Sequence, residues 1–121
     1  MRQNNIIQNK SFDFAFKILK LYSSLVEEKK ELVISRQILK SGTSIGANVE
    51  EALGRQSDKD FLSKISIAYK EARETKYWLK LIKASQWLEG QNIDDLQNDC
   101  EELLKILGSI QISVKKKIRN S

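Results

Sequence analysis

Residues 59–83 carry seven Lys or Arg, and the whole chain contains no His. Placed on a helix at about 100° per residue, Lys59, Lys70, Arg73, Lys76, Lys80 and Lys83 fall on one arc. Phe61, Ile65, Ala68, Ala72, Thr75, Leu79 and Ile82 mark the opposite arc, so one face packs and the other meets water or an anion. Tyr69 and Tyr77 sit among Arg73, Lys76 and Lys80. Cations beside aromatic rings are suited to nucleic acid, because the charges meet phosphates while the rings stack on unpaired bases. The candidate nucleic-acid-binding residues are therefore Lys70, Arg73, Lys76, Tyr77, Lys80 and Lys83. A competing reading has the tyrosines covering a subunit interface and the lysines simply solvated. Lys115, Lys116, Lys117 and Arg119 form a second positive cluster, which also complements the dipole at a helix C-terminus.

The carboxylates Glu50, Glu51, Glu71 and Glu74 raise the question of a metal, since some helical bundles hold two irons with inward Glu and Glu-x-x-His pairs. Without His no such set can be completed. Pairing of Glu51 and Glu74 with Arg55, Arg73 or a Lys of a neighbouring helix or subunit is the expected alternative. Nucleophilic triads, phosphate-cradling Gly loops and zinc-hydrolase motifs are absent from the sequence. A lone Cys100 excludes an internal disulfide and a cysteine zinc cluster, and its place in an apolar heptad makes it a core residue. The expectation is a protein that is not an enzyme, with no catalytic residues, metal or cofactor.

The elements that must position these residues are helical. The chain has no Pro, five Gly and 31% charged residues. A first helix is expected at about 11–28, with two adjacent apolar rows: Phe12, Ala15, Leu19, Tyr22 and Val26, and beside them Phe14, Ile18, Leu21 and Leu25. That face is wider than one bundle core requires and implies a second buried surface. Ile38, Gly42, Ile45, Val49 and Ala52 define a second helix at about 33–54. Ser57, with Asp60 three residues on, caps a third at about 58–84. After the break at 85–92, which contains Gly90, Asn92 caps a fourth helix at about 93–117. Its stripe is Ile93, Leu96, Cys100, Leu103, Leu107, Ile110 and Val114. Four heptad-patterned helices on short connections predict an all-α, antiparallel up-down-up-down four-helix bundle with a left-handed supercoil, as a single domain over 1–121.

Glycine inside a helix costs about 1 kcal/mol relative to Ala, so Gly42 and Gly46 need a reason. Both lie on or beside the apolar stripe, where a missing side chain admits another backbone or a ring such as Trp78 or Phe16. Ser41, Ser44, Asn48, Glu51 and Arg55 flank them as a polar row. The favoured reading is a close helix contact with a hydrogen-bonded seam, and the alternative is a ligand pocket. Gly42, Ser44, Gly46, Asn48, Glu51 and Glu74 are the interface candidates.

The run from Ser41 to Ala52, SGTSIGANVEEA, followed by Asp60-Phe61 and by IAYKEARETKYWL from Ile67 to Leu79, closely resembles the bacterial ribosomal RNA intervening-sequence proteins. The resemblance covers nearly the whole chain and departs at Lys70-Glu71, where many relatives carry Gly-Ser. It implies a homopentameric bundle similar to the accessory protein of diversity-generating retroelements, which is basic and binds nucleic acid and a reverse transcriptase. Independently, the formal net charge of +5 favours an acidic partner, although a modest excess of this kind also occurs without one. The leading expectation is a homo-oligomer that binds RNA or DNA with little sequence readout. A protein-interaction scaffold for a polymerase-like partner is the alternative. The polar N-terminus and the lack of a long apolar run predict a cytoplasmic protein with no membrane segment.

Overall fold

A computed structural model describes residues 2–88 and 93–121, with backbone alone for residues 2–4. It contains four helices, α1 Arg2–Lys29, α2 Val33–Leu53, α3 Asp58–Ser85 and α4 Ile93–Arg119, and no strand among the described residues. The expected cap of the fourth helix, Asn92, and Gly90 lie outside the described residues.

Helix boundaries follow from local hydrogen bonding. Ser57 is extended and its hydroxyl accepts from the Asp60 N–H at 3.0 Å, as the sequence predicts. The Asp60 carboxylate in turn accepts from the N–H of Gln56, one residue before the cap. At the start of α2 the capping group is one that spacing did not reveal. Glu31 accepts from the N–H groups of Val33 and Ser35 at 3.0 and 2.8 Å, satisfying two otherwise unpartnered donors. Lys30 and Gln86, just past α1 and α3, adopt left-handed backbone with φ of 56° and 58°. The first helix begins nine residues earlier than expected, at Arg2 instead of 11. Ile7 explains the extension: it continues the row of Ser11, Phe14 and Ile18 by one more turn and is fully buried.

Cross-helix contacts establish the topology. Ser11 and Ile18 of α1 lie against Gly46 and Gly42 of α2, Ser41 and Glu51 of α2 against Thr75 and Lys64 of α3, and Lys76 and Lys83 of α3 against Glu101 and Asp94 of α4. In every pair of helices the numbers run in opposite directions, so neighbours are antiparallel. Helix α1 closes the bundle against α4, and among the described residues the backbones of diagonal helices come no closer than 8 Å between Cα atoms. This is the up-down-up-down four-helix bundle.

The buried residues of α3 are the seven of its predicted apolar arc, and those of α4 are its predicted stripe short of Val114, which is half-buried. In α1 only one of the two apolar rows enters the core. Phe14, Ile18, Leu21 and Leu25 are buried, whereas in the other row Phe12 and Leu19 are 70% and 48% exposed and Ala15, Tyr22 and Val26 are half-buried; Phe16, which belongs to neither row, is 53% exposed. The α1–α4 seam is held at its surface by ion pairs, Lys10 with Glu102 at 3.0 Å and Lys17 with Asp99 at 2.7 Å. Hydrogen bonding to Asp99 raises the Lys17 pKa.

The α1–α2 crossing accounts for the helix-two glycines. A Cβ at Gly42 would lie 2.9 and 3.0 Å from the two γ-carbons of Ile18, and one at Gly46 would lie 3.3 Å from the carbonyl oxygen of Ser11. The close neighbours are a β-branched side chain and a backbone. Neither expected ring is there: Phe16 points outward and Trp78 donates its indole N–H to Glu74 on its own helix at 3.1 Å.

Candidate nucleic-acid interface

Packing of α3 on α4 leaves a groove of about 990 Å³ between their outer edges. Helix α3 contributes Tyr69, Arg73, Lys76, Tyr77 and Lys80, and α4 contributes Glu101, Leu104, Lys105, Gly108, Ile112 and Lys116. Two serines of α4, Ser109 and Ser113, complete its lining. The geometry originates in the i, i+3, i+4 spacing of α3. Burying Ala68, Ala72 and Leu79 turns Tyr69, Arg73, Lys76 and Lys80 toward the α4 side of the outer face.

Four contacts across the groove share one register: Lys83 with Asp94, Lys76 with Glu101, Tyr69 with Gly108 and Ser66 with Gln111. In each pair the two residue numbers total 177, so Arg73 lies level with Leu104 and one residue from Lys105. Cations from two helices thereby meet on one surface. Glu101 is the one carboxylate lining the groove among the described residues, and it accepts from Lys76 at 2.6 Å. That hydrogen bond raises the Lys76 pKa, so the ammonium stays charged. Below the groove Cys100 is buried, with its thiol donating to the Ala72 carbonyl at 3.3 Å, and burial pushes its pKa up to about 12.

Of the residues singled out from the sequence, Arg73, Lys76, Tyr77 and Lys80 line the groove, while Lys70 and Lys83 do not. Lys83 pairs with Asp94 at the far end of the bundle. Lys70 sits beside Glu71, whose pKa is raised by burial and by Glu74 against the opposing charges of Lys40 and Lys70. Lys105, Leu104, Gly108 and Ile112 were not foreseen. The C-terminal cluster divides, with Lys116 in the groove and Lys117 3.4 Å from Asp58 at the start of α3. One available signal was the charge segregation along α4, acidic from Asp94 to Glu102 and basic from Lys105 to Arg119.

The polar row of α2 does not form one continuous seam. Ser41 receives a buried hydrogen bond from Thr75 at 2.9 Å, and Glu51 pairs with Lys64 at 3.1 Å, both across to α3. Ser44 and Asn48 bond to carbonyls of their own helix, those of Lys40 and Ser44. Arg55 lies over the Phe61 ring at 4.7 Å and meets no carboxylate among the described residues. Among the described residues no group of three or more His, Cys, Asp or Glu is arranged to hold a metal. No helix there is long and apolar enough to cross a membrane.

The sequence model of the 23S rRNA-intervening sequence protein family matches residues 3–109, which include α2, α3 and most of the groove. The chain belongs to this family. Among solved structures it is similar to a protein of unknown function from the S23 ribosomal protein family of Bacteroides thetaiotaomicron. The two are 47% identical over 90% of this chain and 97% of the other, with a TM-score of 0.86. No curated protein matches the sequence. The region matched by the intervening-sequence family ends at Ser109, so three groove residues, Ile112, Ser113 and Lys116, lie beyond it.

Proposed function

We propose that this 23S rRNA-intervening sequence protein is a non-enzymatic homo-oligomer that binds RNA or DNA through the α3–α4 groove with little sequence readout. The observation that carries this reading is one groove lined by Arg73 and Lys80 from α3, Lys105 and Lys116 from α4, and two tyrosines. Flexible lysines contact phosphates as point charges and do not by themselves read base edges. Assembly into a ring, as the family resemblance implies, would repeat the groove around one particle and let many weak contacts act together.

The test is a salt-dependent binding titration with RNA, single-stranded DNA and duplex DNA. Replacing Arg73, Lys76 and Lys80 together with Gln is expected to weaken all three ligands and flatten the salt dependence. All three positions are exposed, so folding should persist. Equal affinity of variant and wild type at low salt would refute the placement. Absence of any nucleic-acid binding would favour the second reading, a docking surface for a polymerase-like protein. The 70% exposed Ile112, lining the same groove as Leu104, is the observation on that side.

A further inference from the structure

The interior glycine of α4 differs from those of α2. At Gly42 the packing forbids a side chain, but a Cβ at Gly108 would meet Tyr69 Cε1 at an ordinary 3.6 Å. Gly108 therefore carries the helix cost of glycine, about 1 kcal/mol, where packing does not demand it. What its missing side chain does is leave the edge of the Tyr69 ring open to the groove, which Gly108 also lines. A larger residue at 108 would cover that ring.

The shared α3–α4 register orders the remaining groove residues along the helix axis. From one end they run Lys80, Tyr77, the Lys76–Glu101 pair, Arg73 with Lys105, Tyr69, and finally Lys116. Each ring has cations on both sides in this order. At about 1.5 Å per residue, Tyr77 and Tyr69 are offset by about 12 Å, and the levels of Lys80 and Lys116 by about 28 Å. Phosphates along a stacked strand repeat about every 3.4 Å, so the track is about eight nucleotides long for a stacked strand and fewer for an extended one. A ring can receive a base only if that base is free of its partner strand. A duplex keeps its base faces stacked and meets only the cations.

We infer that the groove is a single-strand track, in which Tyr77 and the Tyr69 ring uncovered by Gly108 take unpaired bases, Arg73, Lys80, Lys105 and Lys116 take the phosphates, and Glu101 holds Lys76 back from them. This rests on the nucleic-acid reading above and narrows it from nucleic acid in general to the single-stranded form. Lys76 is paired before any ligand arrives, so its contribution to phosphate binding is set by Glu101.

Fluorescence anisotropy with the full chain separates the two levels. The probes are labelled oligo(dT), oligo(U) and a duplex, each of about twelve nucleotides or base pairs, titrated from about 50 to 200 mM salt. Wild type is expected to favour both single strands over the duplex by at least about fivefold. Gly108→Leu, which covers Tyr69, and Tyr77→Leu, at an exposed position, should each reduce that preference while leaving duplex affinity near wild type and the bundle folded, with Gly108→Leu raising the melting temperature because it removes the helix cost of glycine. Glu101→Gln should tighten every probe and steepen the single-strand slope of log K against log salt by about 0.7, the contribution of one released phosphate contact. Equal or tighter duplex binding by the wild type would overturn the single-strand track while leaving the nucleic-acid function standing. Full retention of the single-strand preference in both Gly108→Leu and Tyr77→Leu would do the same. No binding of any probe at the lowest salt would remove both readings.

Discussion

Replacing Gly42 with Ala sets two opposing effects against each other at a single methyl group. Helix propensity favours Ala by about 0.8–1.0 kcal/mol. Against this, the new carbon would fall 2.9, 3.0 and 3.3 Å from Cγ1, Cγ2 and Cδ1 of Ile18, a fully buried side chain. Both γ-carbons are attached directly to Cβ, and a β-branched residue on a helix has one strongly preferred χ1, so rotation does not relieve the contact. Overpacking of this kind costs about 1–3 kcal/mol, which leaves Gly42→Ala at a net loss of up to about 2 kcal/mol. Ile18→Ala removes all three contacting carbons and by itself should cost about 2–5 kcal/mol as a cavity. In the Ile18→Ala background the same Gly42→Ala change meets open space, keeps its propensity gain and refills part of the cavity. The double-mutant cycle should therefore show a favourable coupling of about 1–3 kcal/mol. Urea unfolding of the four proteins at one fixed protein concentration measures it, because assembly would otherwise shift the midpoints. Gly42→Ala raising stability in the wild-type background, with strictly additive effects in the double variant, would refute the close-packing account of this glycine.

Three further outcomes follow from particular contacts. Glu31→Ala removes the carboxylate that accepts from the Val33 and Ser35 N–H groups and should lower stability by about 1–2 kcal/mol, read as a shift in the urea midpoint; an unchanged midpoint would mean that water replaces it without loss. The Cys100 thiol is buried, with its pKa pushed up to about 12 from an ordinary 9.0, so the unfolded chain gives up this proton first as pH rises. Stability from this group is intact below about pH 9 and declines toward pH 12; Cys100→Ala should lack that part of the alkaline slope, and rapid labelling of the native thiol by a disulfide reagent at neutral pH would contradict its burial. Phe12, Phe16 and Leu19 are exposed apolar side chains of α1, so light scattering should find an oligomer, and Phe12→Glu with Leu19→Glu should reduce its mass; a monomeric wild type would remove oligomerisation from the proposed function.

Part of the positive charge of this protein is already paired. Lys10, Lys17, Lys64, Lys76, Lys83 and Lys117 all have carboxylate partners, and most of these pairs are exposed. Surface pairs of this kind contribute roughly 0–1 kcal/mol to stability, and a paired lysine meets a phosphate only by giving up its carboxylate. A formal excess of positive charge is therefore a poor guide to where an anion binds. The groove stands out because Arg73, Lys80, Lys105 and Lys116 line it with a single carboxylate among the described residues.

The periodic content of this chain was legible residue by residue. The apolar stripes read at three- and four-residue spacing are buried in α2, α3 and α4, short of Val114 and with Ser35 and Ser41 added in α2, and the Ser57 cap forms as its spacing requires, because a helix face and a cap depend on neighbours within one turn. The N-terminal extension of α1 was missed because polar residues at 3–5, 8 and 9 outweigh one buried Ile7, whose burial depends on the rest of the bundle. Likewise the two apolar rows of α1 are equivalent on a helical wheel, and only the positions of α2 and α4 determine that Phe14 and Ile18 enter the core while Phe12 and Leu19 face outward. Helical spacing was enough to say which residues share a face, Arg73, Tyr77 and Lys80 among them. Which faces meet came from packing between helices: the α3–α4 register brings Lys105 beside Arg73, opens Tyr69 over Gly108 and ties Lys76 to Glu101. That register is the joint optimum of packing along the full length of two helices, whereas each periodic stripe is encoded within a few residues of itself.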